Sequence, residues 1–123
     1  LFESYNVPHN RIELVTQAHD IMLEIETAIP CGLIINELVS NALKYAFPGD
    51  RTGTIQIELK KTEPGLLMLS VQDNGIGLPS DFNLDTSRSL GMTLIQGLVE
   101  QLEGTLTIES HQGTLFTVSF YFS

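Results

Sequence analysis

Residues 11–16 (RIELVT) alternate apolar and polar side chains, the period of a strand with one buried face. Residues 21–25 (IMLEI) predict a second short strand. From Thr27 the period lengthens. Thr27 is placed to cap a helix, with Pro30 in the first turn, where a missing N–H costs nothing. This helix is expected to run to about Phe47, where Pro48-Gly49-Asp50 stops it. Alternation returns over residues 54–61 (TIQIELKK). Glu63-Pro64-Gly65 then turns the chain into residues 67–72 (LMLSVQ), and the two runs read as a hairpin. Residues 73–79 (DNGIGLP) hold too much Gly and Pro to be regular, and the polar residues 80–89 predict a mobile loop. Leu94, Ile95, Leu98, Val99 and Leu102 form the stripe of a second helix over about 90–102, with Gly104 as its C′ residue. Residues 105–109 and 115–122 predict a closing hairpin turned at His111-Gln112-Gly113.

The order is two strands, helix, two strands, loop, helix, two strands. Hairpin-connected strands with helices left over to cover one face predict an α+β fold: a two-layer α/β sandwich with a mixed, mainly antiparallel sheet and helices on one face. The length of 123 residues suits one domain, residues 1–123. Cys31, the only cysteine, sits in an apolar run and is expected to act as a small buried hydrophobe. A net charge of −9 with six basic residues argues against nucleic acid as a partner and against direct contact with an anionic membrane. No run approaches the ~18 apolar residues of a membrane span, and no signal peptide opens the chain, so a cytoplasmic setting is expected.

Four segments carry candidate chemistry. Glu37, Asn41 and Lys44 are spaced i, i+4, i+7 and share one helix face, with Ile35, Leu38, Val39, Ala42 and Ala46 opposite them as core. A carboxylate, an amide and an ammonium in one row suit a hydrated divalent cation and a polyphosphate, although a solvent-facing helix shows the same stripe. Asp73 ends a strand and is followed by Gly75 and Gly77. Its carboxylate suits the exocyclic amine of adenine and rejects guanine, which presents a carbonyl there, although Asp-Asn-Gly is also ordinary turn chemistry. Arg88 and Gly91 flank the start of the second helix, where free N–H groups favour an anion. Gly113-Thr114 leads into the last strand and offers a hydroxyl. Each segment alone reads as ordinary structure. Together, each at a junction of regular element and loop, they propose one pocket.

Residues 36–46 (NELVSNALKYA) resemble the asparagine box of the GHKL ATPases, which include gyrase, Hsp90, histidine kinases and MutL. Residues 73–79 resemble the first glycine box of that superfamily, Ser89-Leu90-Gly91-Met92 the second, and Gly113-Thr114-Leu115-Phe116 the third. Within the superfamily, the run Asn-Ala-Leu-Lys-Tyr-Ala resembles the histidine kinases. Two features depart from the pattern: Ser89 stands where a glycine is common, and Phe82 is a poor match for a phenylalanine box.

The resemblance implies a Bergerat fold that binds ATP with Mg²⁺. Asn41 would ligate the metal, Glu37 would orient its water or act as base, and Lys44 and Arg88 would meet phosphate. Asp73 would accept the adenine amine with Thr114 nearby through water, and Gly75, Gly77 and Gly91 would let the backbone close around the nucleotide. It implies the catalytic domain of a sensor histidine kinase, passing the γ-phosphoryl group to a histidine on a dimerisation domain of the same parent protein, with a response regulator downstream. His9, His19 and His111 lie outside any helical hairpin suited to that role, so the chain is expected to bind ATP without phosphorylating itself. A serine kinase of the anti-sigma type, or a degenerate nucleotide-sensing or protein-binding module, are the alternatives.

Overall fold

The computed structural model describes residues 12–18, 22–49, 51–78, 90–110 and 112–121. Among the described residues, five strands and two helices follow in the order β1 (Ile12–Ala18), α1 (Ile25–Asn41), a π-helical turn (Ala42–Ala46), β2 (Gly53–Glu63), β3 (Leu66–Asp73), α2 (Leu90–Gln101), β4 (Thr105–Ser110) and β5 (Thr114–Tyr121). The sheet order is β1-β2-β3-β5-β4. β1 runs parallel to β2, and every other pairing is antiparallel, so the sheet is mixed and mainly antiparallel, as expected.

Alternation along the central strands sends one set of side chains towards the helices. Leu67, Leu69 and Val71 of β3, Ile55 and Ile57 of β2, and Val118 and Phe120 of β5 are buried with Ile34, Leu38 and Val39 of α1 and Ile95, Leu98 and Val99 of α2. The helix stripes differ in two places: Ile34, fully buried, joins the core of α1 beside Ile35, which is half-buried and packs against it, and Leu94 of α2 is exposed.

The strand expected over residues 21–25 is not formed. Met22 to Glu24 carry no regular structure, and α1 begins at Ile25. The apolar residues there follow the helix period instead: Ile25, Ile29 and Leu33, four apart, form an exposed row. Thr27 is not the cap. Glu24 holds the N-cap position in extended backbone, and its carbonyl accepts from Thr27 N–H at 3.0 Å and Ala28 N–H at 2.8 Å. Pro30 therefore lies past the first turn, buried, where it cannot donate to the Glu26 carbonyl.

Helix ends also refine the expectations. The last five residues before Phe47 widen into the π-helical turn, a geometry often found at functional sites. At the end of α2 it is Glu103, with φ 55°, that takes the left-handed C′ position. Gly104 is one residue further on and donates to the Val99 carbonyl at 2.9 Å, the six-to-one bond of a Schellman motif. A glycine stands there because an added Cβ would lie 2.9 Å from the Ser119 carbonyl oxygen. No helix among the described residues is long and apolar enough to cross a membrane.

Leu69 sits at the middle of β3 with no exposed surface. Leu69→Ala should lower the unfolding free energy by about 2–5 kcal/mol in a denaturant titration, while Met22→Ala, at a site 92% exposed, should stay within about 0.5 kcal/mol of wild type.

Candidate active site

The C-terminal half of α1, the π turn, the end of β3, the first turn of α2 and the start of β5 surround a cavity of about 560 Å³. Glu37, Asn41, Lys44, Asp73, Gly77, Gly91 and Thr114 all line it, so residues far apart in the sequence meet in one space. Arg88 and Ser89 lie outside the described residues, as do Phe82, His9, His19 and His111.

One end of the cavity is polar and partly open. Glu37 and Asn41, both half-buried, face the first turn of α2. Gly91 supplies the room: a Cβ there would lie 2.9 Å from Glu37 Oε2 and 3.4 Å from Asn41 Nδ2. Lys44 follows on the π turn and is exposed. Among the described residues no group of three or more His, Cys, Asp or Glu could hold a metal ion. A cation here would lean on Asn41, on water and on the oxygens of its own ligand, which is the donor set Mg²⁺ accepts.

The other end is buried. Asp73 closes β3 opposite Thr114 in the β3–β5 register, and the two are 7% and 5% exposed. Burial pushes the Asp73 carboxyl above the ordinary carboxylate range, and the backbone N–H groups of Gly75 and Thr114 offset part of that rise. The Gly75 N–H donates to Asp73 Oδ1 at 2.9 Å. A carboxylate has about four acceptor sites, so capacity remains for a donor inside the cavity.

The turn after Asp73 is fastened to its surroundings. Asn74 Oδ1 accepts from the Thr54 N–H at 2.7 Å, and Ile76 N–H donates to the Ala46 carbonyl at 3.0 Å. Gly75 does not line the cavity. Its place is against the end of the π turn, where any Cβ would overlap the Ala46 carbonyl. Gly77, with φ 81°, does line it.

The apolar walls were not singled out in the sequence as a site. Val71 reads there as a strand residue, and Met92 and Phe116 enter only as members of the second and third box segments, yet all three line the cavity. Ala42 and Ala46 were assigned to the core; they are buried and also form cavity wall, their small side chains leaving the space open. Tyr45 lines the cavity and is 69% exposed. Its signal in the sequence is its place in the run that resembles the asparagine box.

Residues 26–123 match the family described as Histidine kinase-, DNA gyrase B-, and HSP90-like ATPase. Blue-light-activated histidine kinase 2 of Erythrobacter litoralis (strain HTCC2594) is 30% identical over 97 residues, covering 79% of this chain and 28% of that protein. Sensor histidine kinase PdtaS of Mycobacterium tuberculosis (strain CDC 1551 / Oshkosh) is 36% identical over 87 residues, covering 69% of this chain and 17% of that protein. The chain thus spans less than a third of the length of either relative. Among solved structures, the histidine kinase domain from the Erythrobacter litoralis EL346 blue-light activated histidine kinase superposes with a TM-score of 0.83 at 28% identity, over 89% of this chain and 51% of that one. With the family match covering most of its length and the site geometry built from the same segments, the chain belongs to the histidine kinase-, DNA gyrase B- and HSP90-like ATPases.

Proposed function

We propose that the chain is the ATP-binding catalytic domain of a two-component sensor histidine kinase. The observation that carries this reading is a single cavity with a buried carboxylate at one end and the Glu37–Asn41–Lys44 row at the other. Asp73 accepts the exocyclic amine of adenine, with Thr114 beside it. The phosphates extend towards α1, where Lys44 meets them and Asn41 holds Mg²⁺. The metal, when bound, neutralises phosphate charge. Arg88 adds a phosphate contact, and Gly77 and Gly91 keep the walls clear of side chains.

The phosphoacceptor is a histidine on a dimerisation domain of the same parent protein. Its imidazole nitrogen forms the new bond to the γ-phosphorus as the bond to the β-phosphate oxygen breaks and ADP leaves. The imidazole proton passes to a base, and Glu37 is positioned for that role. Such a transfer depends on positioning and charge neutralisation more than on covalent chemistry by the protein. A response regulator receives the phosphoryl group next. An ATP-dependent domain works where ATP is, on the cytoplasmic side of any membrane the parent spans. Nucleic acid is not a partner.

Calorimetric titration with a non-hydrolysable ATP analogue, with and without Mg²⁺ and with GTP as control, tests the reading. Magnesium-dependent binding selective for adenine is expected, and absence of any binding overturns it. Asp73→Asn should weaken binding by about 1–3 kcal/mol. The raised pKa of Asp73 means the folded chain holds that proton more tightly than the unfolded one. Wild-type stability should therefore gain on Asp73→Asn as pH falls through the raised value, and at neutral pH the variant should melt no lower than wild type. Analogue affinity of the wild type should fall over the same pH window, because protonation removes the charge and turns one carboxylate oxygen into a donor facing the adenine amine. Asn41→Ala should abolish the affinity gained from Mg²⁺; if that gain survives intact, Asn41 is not the ligand.

A further inference from the structure

The turn after β3 is held by three elements. Asn74 ties it to Thr54 of β2, and Ile76 ties it to Ala46 of the π turn. Where the turn reaches the cavity wall, the tie is a side chain from β4. The Leu78 N–H donates to Ser110 Oγ at 2.9 Å, and the same hydroxyl donates to the Gly113 carbonyl at 3.2 Å. Ser110 is exposed and does not line the cavity, whereas Leu78 and Thr114 do. One hydroxyl thus connects an amide on one wall to the residue immediately before Thr114 on the other. The fit is close: a Cβ on Gly77 would stand 2.8 Å from Ser110 Oγ.

We infer that Ser110 is a positioning residue for the nucleotide site, setting the separation of the Gly77-Leu78 and Gly113-Thr114 turns without touching the ligand. The inference rests on the nucleotide reading above. A hydroxyl accepts and donates at once, so one atom spans both turns where an alkyl group would span neither. A tie made in the free protein removes part of the ordering cost from binding. Ser110 is paired with Thr114 as the last rung of the β4–β5 ladder, so its backbone is fixed and the hydroxyl is aimed. Threonine retains the hydroxyl, suits a strand, and has room for its methyl group at this exposed position.

The test is titration of the chain with a non-hydrolysable ATP analogue and Mg²⁺, using wild type, Ser110→Ala, Ser110→Thr and Tyr121→Phe, together with amide hydrogen exchange at Leu78. Tyr121→Phe is the control: it removes an exposed bond to Glu63 Oε1 at the end of β5 remote from Thr114. Ser110→Ala should raise Kd about 3- to 10-fold, the worth of one hydrogen bond, and speed exchange at Leu78. Ser110→Thr should restore both, and Tyr121→Phe should leave Kd unchanged. Wild-type affinity in folded Ser110→Ala, or the same loss in Ser110→Thr or in Tyr121→Phe, overturns the inference while leaving the nucleotide reading in place. A wild-type chain that binds no nucleotide overturns both.

Discussion

The site depends on a carboxylate kept out of water at the end of the central strand. Asp73 has β2 on one side and β5 on the other, with Ile55 and Thr114 as its neighbours in register. Burying a charge there is unfavourable unless N–H groups meet it. The Gly75 N–H bends back to do so, which forces a tight turn straight after the strand. That turn can close only because residue 75 has no Cβ to strike Ala46, and because residue 113 has none to strike the Asp73 carbonyl. The Ala46 carbonyl is in turn free to accept from Ile76 at the end of a helix, where carbonyls lose their own ladder partners. One buried acceptor thus fixes the glycines, the helix end and the hairpin around it.

The opposite end of the cavity works under a different constraint. A chain with net charge −9 repels anions at long range. Any polyphosphate ligand must therefore be held by short-range donors and by a cation that travels with it. The row on α1 suits that need: an amide and a carboxylate half-buried beside Gly91, and one exposed lysine.

Much of this was legible in the sequence because it rests on periods and on residues with narrow uses. Strict alternation gave β2, the turn after it marked β3, and the helical stripe gave α2 to within a residue. The failures come from segments where two periods compete. Residues 21–25 have β-branched and apolar character over a length too short to separate strand from helix, and only the structure shows Ile25 continuing the row to Ile29 and Leu33. The N-cap was misplaced because Thr27 has cap chemistry while Glu24 has the cap backbone, with no side-chain bond to advertise it. The polar residues that line the cavity were singled out as a set, at junctions of element and loop and inside the segments that resemble the family's boxes. The apolar wall was not, because Val71 looks like core whether or not a cavity lies against it, and Met92 and Phe116 entered only inside the box segments.

The unequal burial of the two ends follows from what each must do on the proposed reading. Selecting adenine over guanine requires an acceptor whose wrong partner cannot be rescued by water, and a site of that kind must be dry. Asp73 and Thr114 meet that condition, fixed by a sheet register that leaves them little freedom. Phosphoryl transfer to another domain requires the reverse, since the reacting end must be reachable by an incoming imidazole. Lys44 and Tyr45, both exposed on a widened helical turn, lie at that reachable end. The π turn reconciles the two demands. Its buried residues, Ala42, Leu43 and Ala46, pack inward, and the Ala46 carbonyl anchors the turn after Asp73. Its remaining residues face outward. On the proposed reading, a single irregular turn thus couples the end that selects to the end that reacts.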